Sequence, residues 1–215
     1  VVSHQRALAA IDDGRLRDEI VPIEVPQRRG GSKTFAEDEH PRRDISVEKL
    51  GALPAVQPDG VITAGNAAGI NDGAAAALVC NDRGLAKLGL QPMARIVMPG
   101  TSMVGCDPQL MGYSCVDSLN AALLSAKLGV GDLDLIECNE GFAVQLLACE
   151  RIGQWPRERL NVDGGAVALG HPVGMSGLRI TIHLAHALRN RGLKRGGATV
   201  PAGSGLGTAV LLEAA

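Results

Sequence analysis

The 215-residue chain is long enough for one large domain or for one and a half domains. Apolar residues make up 46% of it, and its net charge of −2 gives no electrostatic reason to expect nucleic acid or an anionic membrane as a partner. Aromatic residues amount to only 2%, which argues against a stacking surface for single-stranded nucleic acid. No apolar run is long enough to cross a bilayer, and the first residues lack a signal-peptide pattern.

The five cysteines are odd in number and contain no C-x-x-C pair. This pattern argues against a disulfide framework and against a zinc site, and it favours a reducing, cytoplasmic location. His183 and His186 stand three residues apart on an expected helix, but no carboxylate or cysteine joins them at metal-ligand spacing. We therefore expect no metal.

The N-terminal part of the chain predicts short elements separated by polar loops. Residues 3–13 are expected to form a helix with Ser3 as its N-cap, and residues 19–26 form an extended run. Residues 27–49 are polar and rich in arginine, which indicates either a solvated surface loop or a basic patch for a phosphorylated ligand. The small apolar residues 74–80 predict a buried strand.

A short helix is expected from residue 81, and from residue 93 onwards strand and helix patterns alternate, which favours a layered α/β architecture. The expected helices cover residues 81–89, 117–128, 141–152 and 178–191. The expected strands cover residues 93–98, 102–103, 133–138, 160–162, 197–200 and 206–212. The last two strands are expected to form a closing hairpin.

The glycine-rich stretch over residues 161–177 carries His171 between Gly170 and Pro172. Because a proline disfavours helical geometry in the preceding residue, the imidazole is expected on an extended segment just ahead of a helix. A histidine held there suits proton transfer. The alternative is a glycine-rich turn in which the histidine only caps a neighbouring element.

Two further stretches follow expected strands or join them, which is where α/β proteins place their ligands. Asn139 follows the strand over residues 133–138, so it can cap the next helix or hold a water or a carbonyl oxygen. The stretch over residues 200–207 contains three glycines at alternate positions, starting at Gly203. Its backbone N–H groups are expected either to form an oxyanion site or to belong to a tight hairpin turn.

Together these stretches resemble the thiolase family. The matching pieces are AGNAAGINDGAAA over residues 64–76, NEGFA over 139–143, NVDGGA with GHP between 161 and 172, and GSGLG over 203–207. The resemblance implies a coenzyme A acyltransferase with a thiolase-like layered α/β fold. Such enzymes condense two acyl-CoA molecules or cleave a 3-ketoacyl-CoA with free CoA. Acyl-CoA is then the substrate, and no tightly bound cofactor is implied.

The resemblance also assigns roles to individual residues. The histidine matching His171 activates a nucleophilic cysteine and helps to bind the thioester oxygen. The asparagine matching Asn139 holds a water in the same oxyanion hole, and Gly203 lends its backbone N–H to a second hole. The implied CoA contacts lie around Val56, Ala64, Ala68 and Ile70, with Met111 and Phe142 lining the acyl end. Ala68 stands where many family members have serine.

Two departures from the family pattern qualify this interpretation. Residues 1–70 match the end of a loop domain, 71–92 the last strand and helix of a first half, and 93–215 a complete βαβαβαββ second half. The rest of the first half is absent, and none of the five cysteines stands in the nucleophile's context. Pro201 replaces the acid/base cysteine of a Cys-x-Gly motif, and proline has no proton to give.

We therefore expect a C-terminal thiolase portion that is inactive alone. Its expected partner is an N-terminal thiolase half or further copies of the same chain in a homo-oligomer. The alternative is a non-catalytic thiolase-like subunit that binds CoA esters or plays a structural part.

Overall fold

The computed structural model describes residues 1–215, which form a four-stranded sheet with helices on both faces and a separate two-stranded hairpin. The helices are α1 (Val2–Asp12), α2 (Val47–Gly51), α3 (Asp82–Leu88), α4 (Ser114–Ser125), α5 (Ala143–Gly153), α6 (Ala166–Leu169) and α7 (Ser176–Arg191). The strands are β1 (Ile23–Pro26), β2 (Ser32–Phe35), β3 (Ala94–Gly105), β4 (Leu135–Cys138), β5 (Arg195–Ala202) and β6 (Leu206–Ala214). None of the helices combines the length and the apolar character that crossing a bilayer requires.

The four-stranded sheet has the strand order β3-β6-β5-β4. Strands β5 and β6 pair antiparallel from Arg195 opposite Glu213 to Ala202 opposite Leu206, which confirms the predicted closing hairpin. Strand β4 is parallel to β5, and the long connection between them contains α5, α6 and α7. The expected layered α/β fold class is therefore confirmed.

Apolar side chains cover both faces of this sheet. Successive residues of a strand point to opposite faces, so Ile136 of β4 packs with α4 and α5 whereas its neighbour Leu135 packs with α7. On α7, Ile180, Leu184 and Leu188 recur at helical spacing and are completely buried. Strand β4 is packed between α4 and α5 on one face and α7 on the other, and this packing fixes the position of the segment that follows the strand.

The predicted buried strand over residues 74–80 is wrong. These residues form no strand and most of them are exposed, with Leu78 at 69% and Val79 at 73% of their full accessibility. A strand depends on hydrogen bonds to a neighbour, and no strand of this chain pairs with the segment. In this chain the segment therefore forms an exposed apolar surface rather than part of the sheet.

The starts of α1, α4, α5 and α7 also differ from the prediction, by one to three residues. Helix α1 begins at Val2, and Ser3 is not its N-cap because the Ser3 hydroxyl donates to Glu140 Oε2 at 2.7 Å instead. Helix α4 begins at Ser114 rather than at residue 117, because a 3₁₀ turn over Pro108–Tyr113 leads directly into it.

Two predicted strand regions take a different form. The stretches over residues 93–98 and 102–103 belong to one continuous strand, β3. The strand expected over residues 160–162 is reduced to a single bridge between Leu160 and Ile136. Its extension stops there because Asn161 has a φ of 44°, outside the range of extended backbone.

The exposed character of residues 27–49 is confirmed, although these residues contain β2 and the start of α2. The short helix α3 follows its sequence signals closely. The Asn81 side chain accepts a hydrogen bond from the Gly84 N–H at 3.0 Å, and Gly89 ends the helix in the left-handed conformation.

The hairpin of β5 and β6 approaches the start of α4 closely at Gly207. A Cβ atom at Gly207 would overlap the backbone carbonyl oxygen of Ser114, whereas one at Gly203 would meet nothing within 4 Å. We expect Gly207→Ala to lower the free energy of unfolding by about 1–3 kcal/mol, because backbone must move to relieve the overlap. Gly203→Ala is the matched control, with an expected change within about 0.5 kcal/mol. Urea denaturation measures both, and equal values would contradict this packing.

Candidate active site

The segment over residues 66–71 joins two of the stretches that the sequence singled out. The Ala68 N–H donates to the Gly141 carbonyl at 3.0 Å, and the Ala143 N–H donates to the Asn66 carbonyl at 2.8 Å. One residue beyond Ala68, the Gly69 carbonyl accepts a hydrogen bond from the His171 N–H at 3.0 Å. The asparagine and histidine stretches are therefore held side by side on one extended piece of backbone.

His171 lies between α6 and α7, ahead of the helix, as the sequence predicts. Gly170 has a φ of 91°, and a Cβ there would overlap the side chain of Asn71, so only glycine fits. The Asn71 side-chain oxygen also accepts a hydrogen bond from the His171 N–H at 3.3 Å. The backbone on both sides of the imidazole is thus tightly constrained.

The ring of His171 has a hydrogen-bond partner on one nitrogen. Its Nδ1 lies 2.6 Å from Ser176 Oγ, and the same hydroxyl lies 3.0 Å from the Pro172 carbonyl oxygen. When the hydroxyl donates to that carbonyl, Nδ1 is the donor towards Ser176, and the lone pair of Nε2 is free to accept a proton. Burial, with a smaller contribution from the positive charge of Arg179, lowers the pKa of His171 below its ordinary value, so the ring is neutral near pH 7.

Asn139 follows β4 directly and is 1% exposed. The interpretation of this residue as a helix N-cap is wrong, because α5 begins at Ala143 and its N-cap is Phe142, with no side-chain bond. The Asn139 backbone N–H donates to the Thr199 carbonyl at 2.9 Å. Neither polar atom of its side-chain amide has a hydrogen-bond partner in the protein. This amide is available to a ligand or a water.

Glu140 ties the surrounding loops together and is 2% exposed. Its carboxylate accepts hydrogen bonds from the Ser3 hydroxyl at 2.7 Å, the Asn161 amide at 2.9 Å and the Val167 N–H at 3.0 Å. The Asn161 side chain also bonds both backbone groups of Cys138 at 2.8 Å. These contacts lock the end of β4 against the loop that leads to α6.

Gly203 belongs to the hairpin loop Gly203–Gly205 between β5 and β6 and is exposed. The tight-turn interpretation of this stretch is confirmed, and its oxyanion role stays a prediction. Pro201 pairs with Gly207 in the hairpin and brings no thiol to this strand end. Thr199, the β5 residue bonded to Asn139, lies four residues before Gly203, roughly 13 Å along a fully extended strand.

The residues expected to contact CoA differ in their exposure. Phe142 is half-buried and bridges to Ala67, beside the half-buried Ala68. Met111 is half-buried in the 3₁₀ turn before α4. The other three expected contacts are exposed, and they are Val56 at 70%, Ile70 at 98% and Ala64. CoA contact at these six positions stays a prediction.

His183 lies in a buried charged cluster. His183 Nδ1 lies 2.8 Å from Glu19 Oε1, and its Nε2 lies 3.6 Å from Asp163 Oδ2 and 3.8 Å from Glu137 Oε1. Although burial opposes it, the carboxylates of Glu137 and Glu19 raise the pKa of His183. Burial raises the pKa of Glu137 to about 7. His183 therefore serves as a charge partner of these carboxylates, and through Glu137 it links α7 to strand β4 of the sheet.

The five cysteines fall into two groups. Cys80 is exposed and Cys106 is partly exposed, whereas Cys115, Cys138 and Cys149 are buried together in the core beside α4 and α5. The buried sulfurs lie within 4.8 Å of one another. Their positions in the sequence show no metal-binding pattern, so only the fold reveals that they meet.

Two domain families match this chain. The family described as "Thiolase, C-terminal domain" matches residues 90–214, and the one described as "Thiolase, N-terminal domain" matches residues 1–83. The chain belongs to the thiolase family.

Individual thiolases resemble the chain over nearly all of its length. An acetyl-CoA acetyltransferase of Chromobacterium violaceum is 46% identical over 212 residues, which cover 98% of this chain and 54% of that protein. The crystal structure of the Bacillus anthracis acetyl-CoA acetyltransferase matches with a TM-score of 0.95 at 45% identity, covering 99% of this chain and 54% of the other.

The structure of human mitochondrial 3-ketoacyl-CoA thiolase in complex with CoA matches with a TM-score of 0.90 at 42% identity, covering 100% of this chain and 53% of the other. The chain thus spans about half the length of the thiolases it resembles.

The Ser176 contact was not among the residues singled out by sequence, although a serine five positions after the histidine was visible.

We expect His171 to titrate below about 6.5, the value of a free imidazole. Ser176→Ala removes the Nδ1 partner, so we expect the ring to populate both tautomers. Nitrogen-15 NMR of the imidazoles, with His171→Gln for assignment, measures both properties.

Ser125→Ala is the matched control, because that serine also bonds a carbonyl of the preceding helical turn but is exposed. It should leave the His171 resonances unchanged. A single, unaltered tautomer in Ser176→Ala would contradict the proposed hydrogen-bond arrangement.

Proposed function

We propose that this chain carries part of the active site of a thiolase-type acyl-CoA C-acyltransferase. The reaction is the Claisen condensation of two acyl-CoA molecules or its reverse, the cleavage of a 3-ketoacyl-CoA with free CoA. The main support is the buried Asn139 amide, whose two polar atoms have no hydrogen-bond partner in the protein. The residues just after Asn139 and the backbone of His171 are hydrogen-bonded to the same segment, residues 66–71. A buried amide left unpaired costs about 1–3 kcal/mol, a cost that a bound water or carbonyl group removes.

In this proposal, Nε2 of His171 acts twice. Its free lone pair first accepts the proton of a nucleophilic thiol, which creates a thiolate. The thiolate attacks the acyl-CoA thioester and takes the acyl group, and the carbon–sulfur bond to CoA breaks so that CoA leaves as its thiolate. The imidazolium formed in this way then carries a proton on Nε2 and donates a hydrogen bond to the thioester oxygen. The Ser176 contact supports this order in the arrangement where its hydroxyl donates to the Pro172 carbonyl, because the other ring proton then stays on Nδ1.

Asn139 and Gly203 stabilise negative charge in this scheme. The Asn139 amide orients a water towards the oxygen on which the enolate charge develops, next to His171. The Gly203 N–H serves the tetrahedral intermediate in a second oxyanion hole. Preorganised donors of this kind are typically worth about 10²–10³ in rate each.

Pro201 leaves one step of the family reaction without its usual group. Proton transfer at the substrate α-carbon uses a thiol at this position in the family, and proline offers neither a proton nor a backbone N–H. Cys138 and Cys149 do not replace it, because both are buried in the core and their sulfurs contact Gln145. We propose that another group performs this transfer or that the step is slow.

The nucleophilic thiol is proposed to come from an N-terminal thiolase half that these 215 residues do not contain. We assign residues 1–70 to the CoA-binding loop domain, 71–92 to the end of the first half and 93–215 to the second half. The exposed apolar residues of the segment 74–80 support this assignment, because they form a surface suited to pairing with the rest of the first half. The chain alone is then inactive.

The substrates proposed for the assembled protein are CoA and acyl-CoA, with no tightly bound cofactor. Their proposed contacts are Val56, Ala64, Ala68 and Ile70 for CoA, with Met111 and Phe142 at the acyl end. We propose a homo-oligomer or a complex with an N-terminal half, in the cytoplasm. The similar proteins include bacterial enzymes and a mitochondrial one.

A second candidate function is a non-catalytic subunit that binds CoA esters or plays a structural part. Pro201 in place of the acid/base cysteine favours it, as does Ala68 where many thiolases have serine. The intact His171 and Asn139 favour the enzyme.

Mixing the chain with an N-terminal thiolase half and measuring 3-ketoacyl-CoA thiolysis tests the enzyme proposal. We expect turnover in the mixture, and we expect Pro201→Cys to raise it. Asn139→Ala should lower the rate by about 10²–10³, because it removes one oxyanion donor.

Asn120→Ala is the matched control, because that asparagine is exposed on α4 and forms no side-chain hydrogen bond. Absence of turnover even with Pro201→Cys in a formed complex would contradict the enzyme proposal. Tight binding of acetyl-CoA by calorimetry would then support the non-catalytic alternative.

A further inference from the structure

Three elements on one side of the sheet each bring a cysteine to the same point in the core. Cys115 lies on α4, Cys138 at the end of β4 and Cys149 on α5, with exposures of 0%, 1% and 0%. Their sulfur atoms lie within 4.8 Å of one another. We propose that these three cysteines form a buried binding site for one thiophilic divalent metal ion, with zinc as the expected occupant.

The spacing of the sulfurs fits such an ion. With metal–sulfur bonds of about 2.3 Å, the sulfurs of a zinc site are roughly 3.8 Å apart in a tetrahedron and roughly 4.0 Å apart in a trigonal plane. The observed separations need at most a contraction of about 1 Å, which side-chain rotation provides. The Gly112 carbonyl oxygen, 3.1 Å from Cys149 Sγ, stands at the edge of the cluster as a candidate fourth ligand.

Gln145 distinguishes this cluster from ordinary packing of cysteines. Its side chain is 8% exposed, and its Nε2 lies 3.6 Å from the sulfurs of Cys138 and Cys149 and 3.9 Å from that of Cys115. The Gly141 N–H donates to Gln145 Oε1 at 3.1 Å, which fixes the orientation of the amide. A buried N–H group pointed only at sulfur is poorly satisfied by neutral thiols, which accept weakly, and much better by thiolates.

The charge balance favours a divalent ion. Binding to three thiols forms three metal–sulfur bonds, releases three protons and leaves a net charge of −1 at the site. A monovalent ion would leave −2 in a largely apolar core, which is more costly to bury. Thiolate ligands also select zinc over magnesium or calcium, which prefer oxygen.

The proposed metal has a structural consequence for the end of β4. Cys138 directly precedes Asn139, and Cys149 lies on the helix that follows it. A metal bridging Cys115, Cys138 and Cys149 would therefore tie α4, β4 and α5 together immediately beside the Asn139 amide. This inference does not depend on the proposed acyl transfer.

The test uses the full chain refolded with cobalt, because the completely buried site is filled most readily as the protein folds. We expect one cobalt ion per chain by elemental analysis, with near-ultraviolet absorption bands of thiolate-to-cobalt charge transfer. Zinc should displace the cobalt and abolish these bands. We expect Cys149→Ser and Cys138→Ser to lose stoichiometric binding.

Cys80→Ser and Cys106→Ser are the matched controls, since these cysteines lie outside the cluster, and they should retain one ion per chain. Gln145→Leu keeps all three sulfurs and should weaken cobalt binding by about 10–100-fold. Circular dichroism verifies that each variant folds.

Three outcomes would overturn the proposal. The first is a wild-type chain that folds and takes up no cobalt, and the second is binding of as much cobalt by the cluster variants as by the controls. The third is a disulfide within the cluster of the natively purified chain, detected by mass spectrometry. Because none of these readouts involves acyl transfer, they leave the thiolase proposal untouched.

Discussion

The buried carboxylate of Glu140 is the constraint on which the candidate site depends. It accepts hydrogen bonds from three separate parts of the chain, which are helix α1 through Ser3, the loop before α6 through Asn161, and helix α6 through Val167. Hydrogen bonds to a charged group contribute about 1.5–3 kcal/mol each. The donors on Asn161 and Val167 are buried away from water. Because Asn139 precedes Glu140 and His171 follows α6, one ion holds both functional side chains in place.

The predictions that succeeded rest on local signals. Helix α3 carries an asparagine cap and a glycine stop, helix α7 carries an apolar stripe, and the hairpin of β5 and β6 has glycines at its turn. The segment 74–80 failed for a different reason. A strand is a property of two pieces of chain, so an apolar run does not specify one when its partner is missing.

The same distinction between local and long-range signals applies to the candidate site. The positions of His171, just ahead of a helix, and of Asn139, at a strand end, were predictable. Both depend on neighbouring residues, namely the proline after the histidine and the apolar run before the asparagine. The tautomer of the ring was not predictable, since it depends on where the single proton of Ser176 points. The cysteine cluster was hidden as well, because its members come from three elements separated by unequal stretches of sequence.

Residues 66–71 are hydrogen-bonded to two distant parts of the chain, and this limits where the polypeptide can be cut into two fragments. Cutting the polypeptide between Asn71 and Asn139 would turn three backbone hydrogen bonds of the site, and a fourth bond to the Asn71 side chain, into contacts between separate molecules. Their formation would then depend on concentration rather than on covalent connection. A split reporter built on this scaffold therefore keeps these contacts within one molecule only if the cut lies before Asn66 or after His171.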